Sequence, residues 1–281
     1  MKKHILLVAL MAILLPSALV AKKTDDDRIT VMSYNIRYGG AEDGTNSWPY
    51  RYAYSAMMLL DQKPDVVGLQ EALTYQLDYL EDYVKPYKYV GKGRDDGKKK
   101  GEYTAILYNS KTQKLKSWGV FWLSETPEKP GIGWDAACPR TATWALLQDK
   151  KSGRQYYFVN THLDHVGTEA RKKGIELVLG RISQMNKSGL PVVLCGDMNV
   201  GQDDPALAGL ASSMTSCRKT AFKSDNGITY NAWGKVKEQS QTDHIYYSGF
   251  DHCHNFAVHT KKYEGRAYIS DHFPVVAEMV F

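Results

Sequence analysis

Val192-Val193-Leu194-Cys195-Gly196-Asp197-Met198-Asn199 reads as a buried strand whose apolar run ends in two polar side chains on alternate positions. Open α/β sheets bind ligands beyond the carboxyl ends of their strands, so Asp197 and Asn199 stand where such a site forms. The alternative is a strand stop shaped by an Asx turn. Working outward, the same pattern recurs. Residues 28–35 (RITVMSYN) alternate apolar and polar and end in Asn35, and residues 65–71 (DVVGLQE) form a short apolar run ending in Gln70-Glu71. The run Tyr156 to Asn160 is followed by Thr161-His162.

The chain has 281 residues, 43% hydrophobic and 24% charged, which suits one large globular domain or two small ones. Lys2 and Lys3 precede an apolar run from Ile5 to Leu15 and then small residues up to Ala21. That is the order of a cleavable signal peptide over residues 1–21, and it places the remainder, residues 28–281, outside the cytoplasm. The other reading, an uncleaved anchor, is disfavoured because the run is short for a bilayer, which needs about 20 residues. No later stretch is long and apolar enough to span a membrane. Losing Lys2 and Lys3 lowers the formal charge of +5 by two, too mild a surplus to argue for nucleic acid alone. Cys138, Cys195, Cys217 and Cys253 are even in number, which permits disulfides in an exported chain, with Cys195 read as a free core thiol. Wide spacing without CxxC argues against zinc.

Between the strands the sequence predicts helices over residues 50–62, 74–83 and 168–185, the last carrying Ile175, Val178, Leu179, Ile182 and Met185 at helical spacing. Strands are expected over residues 103–109 and 114–123. A hairpin of residues 141–147 and 156–160 follows, and two strands, 243–247 and 275–281, close the chain. Residues 91–101 (GKGRDDGKKKG) form a glycine-rich charged loop, and residues 124–139 a long excursion with three prolines. Hairpins and helix crossovers together imply one domain with mixed strand pairing.

A sheet that packs these short apolar runs side by side gathers Asn35, Glu71, His162, Asp197, Asn199, Asp243, Asp271 and His272 at one end. Carboxylates and an amide without cysteine make a hard oxygen site suited to Mg²⁺ or Mn²⁺. Histidines beside it can stabilise or protonate developing oxyanions. The chemistry that fits is metal-assisted attack of water on a phosphate ester.

SYNIR around Asn35, Gln70-Glu71, Asn160-Thr161-His162, Gly196-Asp197-Met198-Asn199, Thr242-Asp243-His244 and Ser270-Asp271-His272 together resemble the endonuclease/exonuclease/phosphatase superfamily, the DNase I-like group. The combination spans most of the mature chain, in the order that group shows. The resemblance implies a four-layer α/β sandwich, two mixed β-sheets packed face to face with helices outside. It also implies Glu71 as metal ligand with Asn35 beside it and Asp271 as a further ligand. By the same resemblance, Asp197 orients or deprotonates the water, and Asn199 positions water and phosphate. His272 is the catalytic histidine with Asp243 as its partner, and His162 contacts the scissile phosphate or assists the leaving oxygen. Whether Asp197 or His272 takes the proton stays open.

Other polar residues divide between structure and chemistry. Asp164 and His165 read as loop-shaping, and His244 points away from Asp243 into packing. Trp134, Asp135 and Arg140 form a WDxxxxR pattern similar to secreted bacterial members, in which Arg140 either grips phosphate or anchors the loop through Asp135. Lys92, Arg94, Lys98, Lys99 and Lys100 read first as solvated surface. The expected activity is that of an exported nuclease or phosphodiesterase, with nucleic acid as a partner and a monomeric chain. The alternative is a phosphatase or phospholipase acting on sugar phosphates, inositol phosphates or sphingomyelin. A binding module lacking catalysis would not need the whole set.

Overall fold

The computed structural model of the chain describes residues 27–281, so the leader expected at residues 1–21 lies outside the described residues. The strands are β1 (Arg28–Asn35), β2 (Val66–Ala72), β3 (Tyr87–Val90), β4 (Tyr103–Asn109), β5 (Gln113–Trp122), β6 (Thr141–Asp149), β7 (Gln155–His162) and β8 (Val192–Asp197). They continue with β9 (Thr215–Ser216), β10 (Lys223–Ser224), β11 (Asp243–Ser248), β12 (His252–Val258) and β13 (Val275–Val280). The helices are α1 (Tyr52–Gln62), α2 (Thr74–Tyr83), α3 (Thr168–Met185), α4 (Ala208–Ser213) and α5 (Cys217–Thr220).

One seven-stranded sheet runs β10-β12-β13-β1-β2-β4-β3, and a six-stranded sheet runs β5-β6-β7-β8-β11-β9. Parallel pairing of β1 with β2 and of β7 with β8 sits among antiparallel neighbours, so both sheets are mixed. Three apolar clusters separate four layers. Ile29, Val31 and Val66 of one sheet meet Phe158, Val193 and Ile245 of the other between the sheets. Met32, Tyr34, Val67 and Leu69 face outward onto Met58 and Leu59 of α1 and Leu77 and Leu80 of α2. Val159 and Leu194 do the same toward Ile175 and Val178 of α3. The four-layer sandwich is therefore the observed architecture.

Side-chain alternation along a strand assigns each residue to a layer. Ile29, Val31 and Ser33 face the other sheet, hence so does Asn35. The same two-residue count puts Gln70, Asn160, His162, Asp197 and Asp243 on that inner side. At the approach to the site the filling changes from apolar to hydrogen-bonded. Gln70 Nε2 donates to Asn160 Oδ1 (2.7 Å), and Asn160 Nδ2 donates to the Leu69 and Ala105 carbonyls (2.9 and 2.8 Å). Such a buried amide pair is tolerated because its donors are satisfied. Gly68 makes the close approach possible, since a Cβ there would stand 2.5 Å from Cys195 Sγ and 2.8 Å from Asn160.

Four strands were not expected from sequence, among them the two-residue β9 and β10. β3 is a four-residue edge strand, and β12, reading HCHNFAV, carries a bulge between Cys253 and Asn255 that breaks its alternation. Three main strands rather than two therefore close the chain. All four cysteines are free, and Cys195 is fully buried as expected of a core thiol. Among the described residues no helix is long and apolar enough to cross a membrane.

Candidate active site

The polar strand tips meet around Asp197. Its backbone neighbours across the ladder are His162 on β7 and Asp243 on β11, so three site residues share one rung. Gly196 permits this rung, because a Cβ there would lie 2.0 Å from the Thr161 carbonyl oxygen. From the facing sheet Asn35 Nδ2 donates to Asp197 Oδ2 (3.0 Å) and to Glu71 Oε1 (2.9 Å). The Asn35 oxygen is turned the other way and accepts from Arg37 N (3.0 Å). Asn35 thus ties two carboxylates together through its nitrogen.

Glu71 departs from strand geometry. It lies in a register shift of β2 between Leu69 and Ala72, with φ at 60° in the left-handed region. Arg37 (63°) and Asn199 (55°) share that conformation, which costs non-glycine residues on the order of 1 kcal/mol or more and clusters at functional sites. Glu71 Oε2 accepts from Tyr38 N (2.8 Å). Glu71, His162 and Asp197 each present one donor atom within 4.8 Å of the others, and so do Asp197, Asp243 and His272.

The two histidines hold opposite charge states. Asn199 Nδ2 donates to the Leu163 carbonyl (2.9 Å), which can only accept, so the same amide group also donates to His162 Nε2 (3.0 Å). Burial and then the charges of Arg140 and Arg94 push His162 well below its usual range, and it is neutral. His272 Nδ1 donates to Asp243 Oδ2 (2.8 Å), while its Nε2 stands 3.6 Å from Asp197 Oδ2. Burial opposes its charge, yet Asp243 and Asp197 outweigh that and hold it protonated well above the ordinary range. Burial raises the Asp197 carboxyl to about 6, with His272 pulling it back. For Asp243, burial is outweighed by the His272 charge, which leaves it below the usual carboxylate range.

A polar hinge fixes the terminal tip. Ser270 Oγ donates to the Asn35 carbonyl (2.7 Å), Asn231 Nδ2 to the Ser270 carbonyl (3.1 Å) and Phe273 N to the Thr229 carbonyl (2.7 Å). The Thr229 hydroxyl also accepts from Asp243 N (3.0 Å). Thr229 and Asn231 carry no motif and were not singled out from sequence. Asp271 reaches the same end of the sheets, but its Oδ2 faces Arg37 Nη1 (3.3 Å), and it belongs to neither close group of ligand atoms. His244 turns to the opposite face and meets the Val200 carbonyl (2.8 Å).

The rest of the cavity comes from loops. Arg37, Tyr38, Glu71, Arg94, Glu102 and Arg140 line a space of about 310 Å³ together with Cys138, His162, His165 and Asn199. Asp135 does not hold Arg140. Instead it accepts from Ala170 N (2.7 Å) at the start of α3, supplying the cap that Gly167 has no side chain to provide. Arg140 pairs with Asp164 (3.1 Å), whose Oδ1 also takes the N–H groups of Ala137, Val166 and Gly167. Asp164 therefore shapes the loop, as expected. Arg94 departs from the surface reading: Lys98, Lys99 and Lys100 are exposed, whereas Arg94 is partly buried against Glu102 (2.6 Å).

A family model described as "Endonuclease/Exonuclease/phosphatase family" matches residues 32–272. A Bacteroides thetaiotaomicron mannosyl-6-phosphatase structure is 35% identical, with TM-score 0.85, over 90% of this chain and 100% of that one. Another protein of that organism, from the endonuclease/exonuclease/phosphatase family, is 34% identical with TM-score 0.85 over 92% and 99% of the two chains. An uncharacterised protein of Acanthamoeba polyphaga mimivirus is 26% identical over 252 residues, covering 82% of this chain and 91% of its own. With the family model spanning the motifs from β1 to His272, the chain belongs to the endonuclease/exonuclease/phosphatase family of phosphoesterase hydrolases.

Proposed function

We infer that the protein is an exported, divalent-metal-dependent phosphatase acting on a small phosphomonoester such as a sugar phosphate. The observation that carries this reading is the pairing of the Asp197-centred cluster with a compact cavity of about 310 Å³ whose lining includes three arginines. A cavity of that size suits a small-molecule substrate. The relative at 35% identity named a mannosyl-6-phosphatase supports the same class over the nuclease alternative.

Glu71 and Asp197 offer hard oxygen donors within reach of one another, the donor chemistry that Mg²⁺ or Mn²⁺ prefers. Such a cation supplies positive charge against the phosphate oxygens. Asn35 keeps the two carboxylates aligned. Because His272 already carries its proton, Asp197 is the group that accepts one from the attacking water. Asn199 orients that water. As the new P–O bond forms and the ester P–O bond breaks, His272 passes its proton to the leaving alkoxide and Asp243 stabilises the imidazolium until then. The products are orthophosphate and an alcohol. Glu71 would hold the metal, with Asn35 aligning its carboxylate through the amide nitrogen, and Asp271 completes the negative end of the site beside Arg37.

Chelation followed by add-back tests the reading. Protein dialysed against EDTA is expected to be inactive on hexose 6-phosphates and to recover with Mg²⁺ or Mn²⁺. Cleavage of plasmid DNA or RNA with no release of phosphate from any monoester would return the nuclease reading to first place.

A further inference from the structure

Two arginines of the cavity have no role in that reaction scheme. Arg94 is carried on residues 91–101, a loop pinned at both ends. Its own N–H meets the Glu102 carbonyl (3.0 Å), its carbonyl accepts from Trp122 Nε1 (2.7 Å), and Thr74 Oγ1 holds the Lys99 carbonyl (3.0 Å). Arg94 Nη2 donates to Glu102, but its Nε is buried and has no hydrogen-bond partner among the described residues. The Asp95 carboxylate stands 4.0 Å from that Nε, too far for a hydrogen bond, so the fork is short of acceptors beside a cavity that can hold a further anion.

Arg140 is 5% exposed and rigidly held, with Nε on Asp164 Oδ2 (3.1 Å) and Nη2 on His165 Nδ1 (2.9 Å). Asp164 divides its charge among Arg140 and three backbone N–H groups, so it neutralises Arg140 only in part. Both arginines border the small recess beside His162 as well as the main cavity. Their fields converge on His162, which touches Asn199 and stands 3.6 Å from Asp197.

We propose that Arg94 and Arg140 form a clamp that selects the doubly charged terminal phosphate of a monoester over the single charge of a diester. A monoester presents three non-bridging oxygens and carries about −1.5 to −2 charge at pH 7, whereas a diester has an ester arm in place of the third oxygen. The planar guanidinium fork suits that third oxygen and its charge. The proposal rests on the phosphatase reading and identifies what sets the substrate class.

The test compares p-nitrophenyl phosphate with bis-p-nitrophenyl phosphate on the Mg²⁺-loaded protein, for wild type, Arg94→Gln and Arg140→Lys. Each variant is expected to lower the monoester-to-diester ratio of kcat/KM by at least about tenfold, the scale of one charge-assisted hydrogen bond. Equal losses on both esters, or an unchanged ratio, overturn the clamp. Should Arg140→Lys fail to fold, Arg94→Gln decides the matter. Calorimetry on metal-free protein separates the clamp from the reaction. Orthophosphate is expected to bind wild type and to bind Arg94→Gln at least about tenfold more weakly, with dimethyl phosphate binding neither measurably. An unchanged orthophosphate Kd sinks the clamp, whereas binding through Arg94 in a wild type that hydrolyses neither ester sinks the phosphatase reading alone.

Discussion

The carboxylate cluster at the strand ends and the cationic side of the neighbouring cavity are built by different means. Asn35, Asp197 and Asp243 sit at the ends of strands, where two-residue alternation and ladder register decide which way each side chain points. Arg94, Arg140 and His165 sit on connections, and their orientation depends on bonds from Asp164, Trp122 and Glu102 to the arginines and from Arg140 to His165. Strand-borne groups are preorganised by the whole sheet. Loop-borne groups are only as rigid as the few buried bonds beneath them, so the two sides should fail differently when mutated.

The largest effect is expected on the strand side. Asp197→Asn and His272→Ala each remove a proton-transfer group and should lower kcat by about 10²- to 10⁴-fold. Rates within a few-fold of wild type would take these residues out of the reaction. On the loop side, Asp164→Asn leaves Arg140 buried without its counter-charge and should destabilise the fold by about 3–5 kcal/mol, read by urea unfolding. Its carboxyl is held well below the usual range by the Gly167, Ala137 and Val166 N–H groups and Arg140, against the opposing push of burial. That contribution is present above the unfolded carboxyl pKa of about 3.9 and is lost as the pH falls below it. An Asp164→Asn variant as stable as wild type at pH 7 would show that the loop needs no such bracket.

A smaller effect should appear in the pH profile. Asp197 must be ionised to accept a proton, and burial raises its carboxyl to about 6 in the metal-free protein. The rate should therefore fall as pH drops through a midpoint at or below about 6, since a bound cation lowers it further. A kcat/KM that rises as the pH falls from 8 to 4 would contradict this assignment. The smallest effect belongs to the exposed lysines. Changing Lys98, Lys99 and Lys100 together to Ala should alter monoester kcat/KM by less than about threefold, because exposed charges are screened. A larger drop would move the anion-binding surface outward from Arg94.

The site was legible where it coincides with strand periodicity. Asn35, Glu71, His162, Asp197, Asp243 and His272 each follow or border a short apolar run, a pattern visible in the sequence without knowing its neighbours. The residues that hold those tips in place were not legible. Thr229 and Asn231 lie on an irregular segment and act through hydrogen bonds to Asp243 N and the Ser270 carbonyl, pairings that no local pattern encodes. Arg140 was visible but its partner was not, since Asp135 and Asp164 are equally plausible in sequence until the start of α3 takes Asp135. Edge strand β3 and bulged β12 escaped for a related reason: their patterns are short or interrupted.

While the four-layer arrangement was implied by the family resemblance, the sequence by itself determined the mixed α/β character of one domain, the chain order of the strands' polar ends and the hard-ligand, acid-base character of the residues there. These follow from short-range rules of alternation and helical spacing that act within about ten residues. Only the tertiary structure decided which amide nitrogen faces which carboxylate, which histidine keeps its proton, and that Arg94 turns inward while its lysine neighbours face solvent. Charge state and orientation depend on burial and on partners up to 235 positions away in the chain, as between Ser270 and Asn35, and such distances acquire meaning only once the sheets have closed on each other.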